Sequence, residues 1–379
     1  MDNEKINIEY LKSIGMDQAV YKQINLDCEI CERDDFTPIL CKGKIGKTGQ
    51  YGPINIVQCN HCGHVMVNPR FEKQFYIDFY KEFYKDNVAY LGDGKPQEEL
   101  IDRQKERAGR CETYLSNNFN ITPGRMLDLG CAYGATMIPF MDKGWDVRGI
   151  DPEEASVEFG KKELGVSVDY GFAEELPYPD DSFDLVISLG ALEHVHDFPA
   201  AMKELQRTVN FGGYLFIRMR HNRPWGNIWE YYNRNHYRFF SGHTHKLAVI
   251  RYGFEVVEYT DQQIEGRTGD RYLLCRNVAQ PSLENVELAI ANGMCDTPEK
   301  LCSYLREHNE EQKKRVSGLL ELERECKGSL LKMYDEINSG RFSYPLLYCC
   351  VGPEDAVSRA LVEARAFLRE CEDDGIMLE

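Results

Sequence analysis

Between Gly124 and Cys275, short apolar runs alternate with stretches whose apolar residues recur every three or four positions. The runs Arg125–Leu129, Val147–Ile150, Val166–Tyr170, Phe183–Ser188, Gly213–Arg218, Phe254–Tyr259 and Arg271–Cys275 have the length and composition of strands. The stretches Ala135–Lys143, Pro152–Glu163, Pro199–Val209 and Thr244–Tyr252 read as helices. Strands this apolar need cover on both faces, and helices between them supply it. The pattern predicts an α/β domain whose seven strands form a parallel sheet covered on both faces.

The flanks have a different texture. Residues 1–24 place Ile6, Tyr10, Leu11, Ile14 and Val20 near one face of a short helix. Residues 25–70 are short apolar pieces punctuated by glycines and paired cysteines. Residues 71–118 are helical and rich in aromatics, broken at Gly92–Pro96. Residues 281–379 read as all-helical: Leu301, Tyr304, Leu305, Leu319, Leu320, Leu330, Leu331 and Tyr334 carry the apolar side, and Pro353 suits the first turn of a last helix. The chain therefore divides into an N-terminal helix (1–24), a cysteine module (25–70), a helical linker (71–118), the α/β domain (119–280) and a helical C-terminal region (281–379).

Composition narrows the partners. An apolar content of 42% with 28% charged residues fits a globular chain, not a disordered or fibrous one. The net charge of −17 disfavours nucleic acid and anionic membranes as partners. No apolar run is long enough to span a bilayer, and the acidic start MDNEKINIEYLKSIG lacks the apolar core of a signal peptide, so a cytoplasmic location is expected. In such a reducing compartment the 14 cysteines should be thiols or metal ligands.

The most informative stretch is Arg125–Ala135, an apolar strand that ends in a glycine turn before a helix. Backbone N–H groups at such a turn can approach a ligand closely. Asp151 ends the next strand, placed to accept the two hydroxyls of an adenosine ribose. Both nicotinamide and S-adenosylmethionine sites use this arrangement. Two details favour the second. Asp128, at the end of the first strand, would repel a pyrophosphate and attract the ammonium of a methionine moiety. Ala132 also stands where a dinucleotide fingerprint has its middle glycine.

Cys28-Glu29-Ile30-Cys31 and Cys59-Asn60-His61-Cys62 form two C-x2-C knuckles. Four thiolates make a closed tetrahedral zinc site, which is structural because no position stays open. His61, His64 and Cys41 could substitute for one ligand, and four unliganded thiols are the alternative.

With these residues in view, the chain resembles the class I S-adenosylmethionine-dependent methyltransferases over about residues 120–278. The resemblance rests on Leu127–Gly134 (LDLGCAYG), Gly149-Ile150-Asp151, Gly171–Pro177 (GFAEELP) with Asp181–Ser188 (DSFDLVIS), Leu189–Asp197 (LGALEHVHD), and His236–Phe240 (HYRFF) with Tyr252–Val256. It implies a Rossmann-like, seven-stranded α/β sheet and a donor site formed by Asp128, Gly130, Cys131, Ala132, Gly134, Asp151, Pro152, Phe172, Ala173, Glu174 and Leu189. Phe172 departs from the family, which usually has an acid there. Residues 25–70, with Val65–Arg70 (VMVNPR) and the aromatic stretch Phe75–Tyr84, resemble the zinc-binding domain that precedes the methyltransferase domain in many bacterial enzymes. Members with known roles often methylate sugar nucleotides or other natural-product substrates. The sugar C-methyltransferases among them carry a further α/β domain where this chain reads as helical.

The acceptor should sit beyond the carboxyl ends of the strands. His194, in the stretch Glu193–His196, is the leading general base, with His236 and Tyr232 as further catalytic candidates. The aromatic and basic stretch from Arg218 to Arg238 reads as a lid, its Arg218, Arg220 and Arg238 suited to an anionic acceptor. The sequence thus predicts a methyltransferase using S-adenosylmethionine and structural zinc on the O or C of a small molecule, a sugar nucleotide or phosphorylated sugar among the candidates, with a homodimer through the helical tail allowed. The alternatives are a nicotinamide-dependent oxidoreductase and a non-enzymatic zinc-ribbon protein that docks partners through its tail.

Overall fold

The computed structural model describes residues 21–42, 54–78, 98–220, 236–266 and 270–294. By compactness the chain divides into two units. One comprises residues 21–40 and 55–298 and contains nearly everything described below; the other comprises 1–20, 41–54 and 299–379. The expected helix over residues 1–20, the lid residues 221–235 (Tyr232 included) and the expected helices beyond residue 294 lie outside the described residues.

The cysteine knuckles are turns between short strands. Those strands are β1 (Gln23–Ile24), β2 (Phe36–Lys42), β3 (Ile54–Cys59), β4 (Val65–Val67) and β5 (Arg70–Phe71). Residues 23 and 24, expected to end a helix, instead pair antiparallel with β5. Helix α1 (Lys73–Asp78) buries Phe75 and Tyr76. Helix α2 (Glu98–Phe119) buries Ile101, Ala108, Cys111 and Leu115, whose spacing makes one apolar stripe, and Glu98 and Glu99 favour its positive N-terminal end.

The α/β part then runs β6 (Arg125–Leu129), α3 (Ile138–Asp142), β7 (Asp146–Asp151), α4 (Glu154–Phe159), β8 (Val168–Tyr170), β9 (Phe183–Leu189), α5 (Phe198–Thr208), β10 (Val209–Arg220), β11 (Arg238–Phe239), α6 (Gly242–Arg251), β12 (Phe254–Thr260), β13 (Asp270–Asn277) and α7 (Leu283–Ala291). All seven expected strands are present in one seven-stranded sheet of order β12-β13-β10-β9-β6-β7-β8. From β10 to β8 the neighbours are parallel, whereas β13 runs antiparallel between β10 and β12. After β8 the chain crosses back over β6 to lay down β9. The carboxyl ends of β6 and β9 therefore flank a topological switch point, where an open α/β sheet offers a crevice.

Alternation along the strands builds two apolar layers. Leu127, Leu129, Val186 and Ile217 face a cluster with Phe198, Met202 and Leu205 of α5. Met126, Leu185, Ile187 and Phe216 face the other way, onto Ala108, Cys111 and Leu115 of α2. The four knuckle cysteines and Ile30 belong to the first cluster. The cysteine module is thus continuous with the core of the larger sheet.

Three local differences from the sequence reading have physical causes. The helix expected over Ala135–Lys143 is regular only from Ile138, since Gly134 at φ +79° leads into turns and Pro139 fits a first-turn position. The helix expected over Pro152–Glu163 starts at Glu154, where the Glu153 side chain accepts from the N–H groups of Ala155 and Ser156. It passes into a π-turn over Gly160–Leu164 and stops at Gly165. Finally β11, from the segment read as part of the α/β domain, pairs antiparallel with β4 and gives the module a four-stranded sheet of order β11-β4-β3-β2.

Candidate active site

A cavity of about 400 Å³ opens at the carboxyl ends of β6, β7 and β9. Its floor is the turn after β6. Gly130 has φ +75°, and a Cβ there would lie 2.3 Å from the Cβ of Ala191, so only glycine lets the turn pass this close to the segment after β9. The Gly130 N–H donates to the Ile150 carbonyl at 2.9 Å. Ala132 holds a positive φ of 49°. Gly134 also has positive φ, but a Cβ there would strike Val166 at 2.7 Å and Met137 at 3.0 Å. Expected to touch the donor, Gly134 is absent from the cavity wall; its place is the packing of the turn on β8.

Two aspartates mark the ends of adjacent strands. Asp151 is buried, with Oδ2 accepting from the Ala132 N–H at 2.8 Å and Oδ1 from the Glu153 N–H at 2.9 Å. A carboxylate has about four acceptor positions, so both oxygens can still receive a ligand hydroxyl. Asp128 is buried and accepts from the Thr136 hydroxyl. Burial pushes Asp128 up to about 7, against the Thr136 hydrogen bond and with help from Asp151. Burial likewise pushes Asp151 up to about 6, against its two backbone donors. Neither forms an ion pair among the described residues, so the wall favours a cationic, hydroxyl-bearing guest.

The remaining wall comes from three loops. Phe172 and Ala173 present a ring and a methyl; the Lys73 ammonium stands 5.9 Å from the Phe172 ring centre. Glu174 lines the cavity, but its Oε1 accepts from the N–H groups of His196 and Asp197, each at 3.1 Å, and so ties this loop to the one after β9. Cys131, Pro152 and Leu189 line the cavity. Thr136 and, from α2, Gln104 and Arg107 line it as well. The sequence reading missed all three. The signal available for the α2 pair was their i, i+3 spacing beside the apolar stripe.

Glu193, His194 and His236 also line the cavity. The two imidazole rings are 4.6 Å apart, nearly perpendicular. Glu193 is buried and its Oε2 has no hydrogen-bond partner among the described residues. Burial alone would raise its pKa, but His194, His236 and Arg218 together hold it below the usual value. One ligand-capable atom from each of Glu193, His194 and His236 lies within 4.8 Å of the others. His196, a turn further on, points Nε2 at the Phe71 carbonyl at 3.1 Å.

Two arginines expected to meet an anionic acceptor are committed elsewhere. Arg218 lies between Glu265 (3.2 Å) and Asp270 (3.5 Å) and donates to the Leu189 carbonyl. Arg238 is fully buried on Glu29 and the Leu192 carbonyl. A guanidinium already paired in the interior has little left for a substrate.

The four cysteines of the knuckles are all buried, with Cys28–Cys62 and Cys31–Cys59 sulfur pairs each 3.5 Å apart and all four sulfurs within 4.8 Å. Tetrahedral zinc at ~2.3 Å from each sulfur separates the sulfurs by about 3.8 Å, so this donor set fits that ion in number, softness and spacing. Hydrogen bonds from the other three thiols push the Cys59 thiol far down, while burial pushes Cys28 up and the neighbouring thiols push Cys62 up.

Residues 80–259, just under half of the chain, match a family described as a methyltransferase domain. Over those residues the chain is similar to that family. Over 104 residues (25% of the chain) it is 35% identical to an ajmaline N-methyltransferase of Rauvolfia serpentina, 35% of whose length is covered. Over 98 residues (24%) it is 37% identical to a ubiquinone biosynthesis O-methyltransferase of Rhizobium etli, 40% of whose length is covered. The chain thus spans well under half of these relatives. Among solved structures, a SAM-dependent methyltransferase from Aquifex aeolicus is 19% identical, with TM-score 0.39 over 48% of this chain and 96% of that one.

Proposed function

We propose that this protein transfers a methyl group from S-adenosylmethionine to an oxygen or carbon of a small molecule. The observation that carries the reading is the pair Asp128 and Asp151, two buried carboxylates at the switch point, framing a glycine turn whose backbone approaches the cavity. Asp151 would accept the ribose hydroxyls, Asp128 the methionine ammonium, and Phe172 with Ala173 would flank the adenine. Bound there, S-adenosylmethionine supplies a methyl on a sulfonium sulfur, open to in-line attack. The chain's own work is to hold the acceptor on that line, exclude water and take a proton. His194 would take that proton at an imidazole nitrogen, beside Glu193 and His236. A pyrophosphate next to buried Asp128 would meet a like charge, which weighs against a nicotinamide cofactor. Zinc on Cys28, Cys31, Cys59 and Cys62 would be structural.

Within this reading a nucleotide-linked or phosphorylated sugar remains the candidate acceptor. Incubation with methyl-labelled S-adenosylmethionine and a panel of sugar nucleotides, sugar phosphates and phenols tests it. Label on a sugar supports the finer reading, and label on a phenol only would replace it. A second reading rests on the same three side chains: Glu193, His194 and His236 could hold a divalent cation that polarises an acceptor hydroxyl. Manganese titration followed by electron paramagnetic resonance separates the two, since a bound ion should vanish in His236→Gln.

A further inference from the structure

Glu29 lies inside the first cysteine knuckle, between Cys28 and Cys31, and is 5% exposed. Its carboxylate receives two arginines from different strands. Oε1 is 2.8 Å from Nη2 of Arg238 in β11 and 2.9 Å from Nη2 of Arg70 in β5. Oε2 is 3.0 Å from Nε of Arg238 and 3.3 Å from Nε2 of His64. Both arginines are fully buried, so Glu29 supplies the charge that lets them stay in the interior. The paired fork on Arg238 fixes direction as well as charge.

The far ends of the two guanidinium groups matter more. Nη1 of Arg238 donates to the Leu192 carbonyl at 2.7 Å, and Nη1 of Arg70 donates to the His196 carbonyl at 2.9 Å. Leu192 and His196 bracket Glu193, His194 and Val195. One carboxylate in the knuckle therefore governs both ends of the loop that lines the cavity, and Arg238 follows His236 by two residues. Glu174 holds the same loop from the opposite side through its amides.

We propose that Glu29 is a positioning residue, which through Arg70 and Arg238 sets the loop carrying Glu193 and His194 and the placement of His236. The link makes the cysteine module a part of the active-site framework. Its consequence for methyl transfer rests on the function proposed above; the link itself does not.

The test compares full-length wild type with Glu29→Gln and Arg70→Lys. Backbone hydrogen exchange is read peptide by peptide, with zinc content and S-adenosylhomocysteine affinity measured on the same samples. Glu29→Gln should speed exchange over residues 192–197 about tenfold or more, while the turn at 130–136 exchanges as in wild type. Histidine proton signals of His194 and His236 should move, and homocysteine-nucleoside affinity should stay within about threefold. Arg70→Lys keeps the charge but cannot span Glu29 and the His196 carbonyl, so its effect should concentrate at 194–197; it decides the matter if Glu29→Gln fails to fold. Unchanged exchange at 192–197 in folded variants, or a uniform rise along the chain, overturns the proposal. Failure of wild type to bind S-adenosylhomocysteine would instead defeat the methyltransferase reading and leave the exchange result standing.

Discussion

Asp151 accepts the backbone N–H of Ala132 at 2.8 Å, joining the end of one strand to the glycine turn of its neighbour. The same carboxylate accepts from Glu153 N–H at the start of α4, so its orientation is fixed before any ligand arrives. Preorganisation of this kind turns a lone acid into a binding determinant, because little side-chain freedom is left to lose on binding.

The donor site should be pH-dependent through Asp128. With its pKa pushed up to about 7 by burial, the carboxyl is neutral in acid and attracts an ammonium only above that value. S-adenosylhomocysteine affinity should therefore fall roughly tenfold from pH 8 to pH 6, and Asp128→Asn should flatten the profile at a lower affinity. The sign for the free fold is opposite. An acid whose folded pKa is raised favours folding below its unfolded value, and that contribution is lost as pH rises through about 7. Asp128→Asn should thus raise the free protein's Tm at pH 8 more than at pH 6, as checked by calorimetric scans.

Gly130→Ala should both destabilise and blind the protein. The φ of +75° and the 2.3 Å approach to Ala191 Cβ act independently. A loss of roughly 2–4 kcal/mol in chemical denaturation is expected. Adding Ala191→Gly should relieve the clash and return only part of that, because the backbone strain remains. Full recovery in the double variant would contradict the account.

Metal loss should reach beyond the module. The knuckle cysteines share a core cluster with Leu127, Phe198 and Leu247. Cys59→Ser should drop zinc from one equivalent to near zero by elemental analysis and lower the Tm of the single transition. A separate early transition, with the larger sheet untouched, would show that the module unfolds alone.

The α/β fold was legible because each strand is a bounded apolar run and each helix has its own period, so all seven strands of the sheet were identifiable from local pattern. The positions of Asp128 and Asp151 in the cavity wall were legible for the same reason: a residue at a strand end is located by the strand. The commitments of Arg218 and Arg238 were not. They depend on Glu265, Asp270 and Glu29, which are distant in sequence and lie on other elements. The pairing of β11 with β4 was hidden likewise, since a two-residue strand has no periodicity. The knuckle pattern carries no signal for Glu29, whose contacts with two arginines come from distant segments.

The most direct measurement is isothermal calorimetry of S-adenosylhomocysteine against the purified full-length protein and its Asp151→Ala variant. The account predicts one site per chain in the wild type and a loss of at least about a hundredfold in the variant, since each hydrogen bond to the carboxylate is worth roughly 1.5–3 kcal/mol. No heat at millimolar ligand with a folded wild-type protein, or equal affinity in the two proteins, would contradict it.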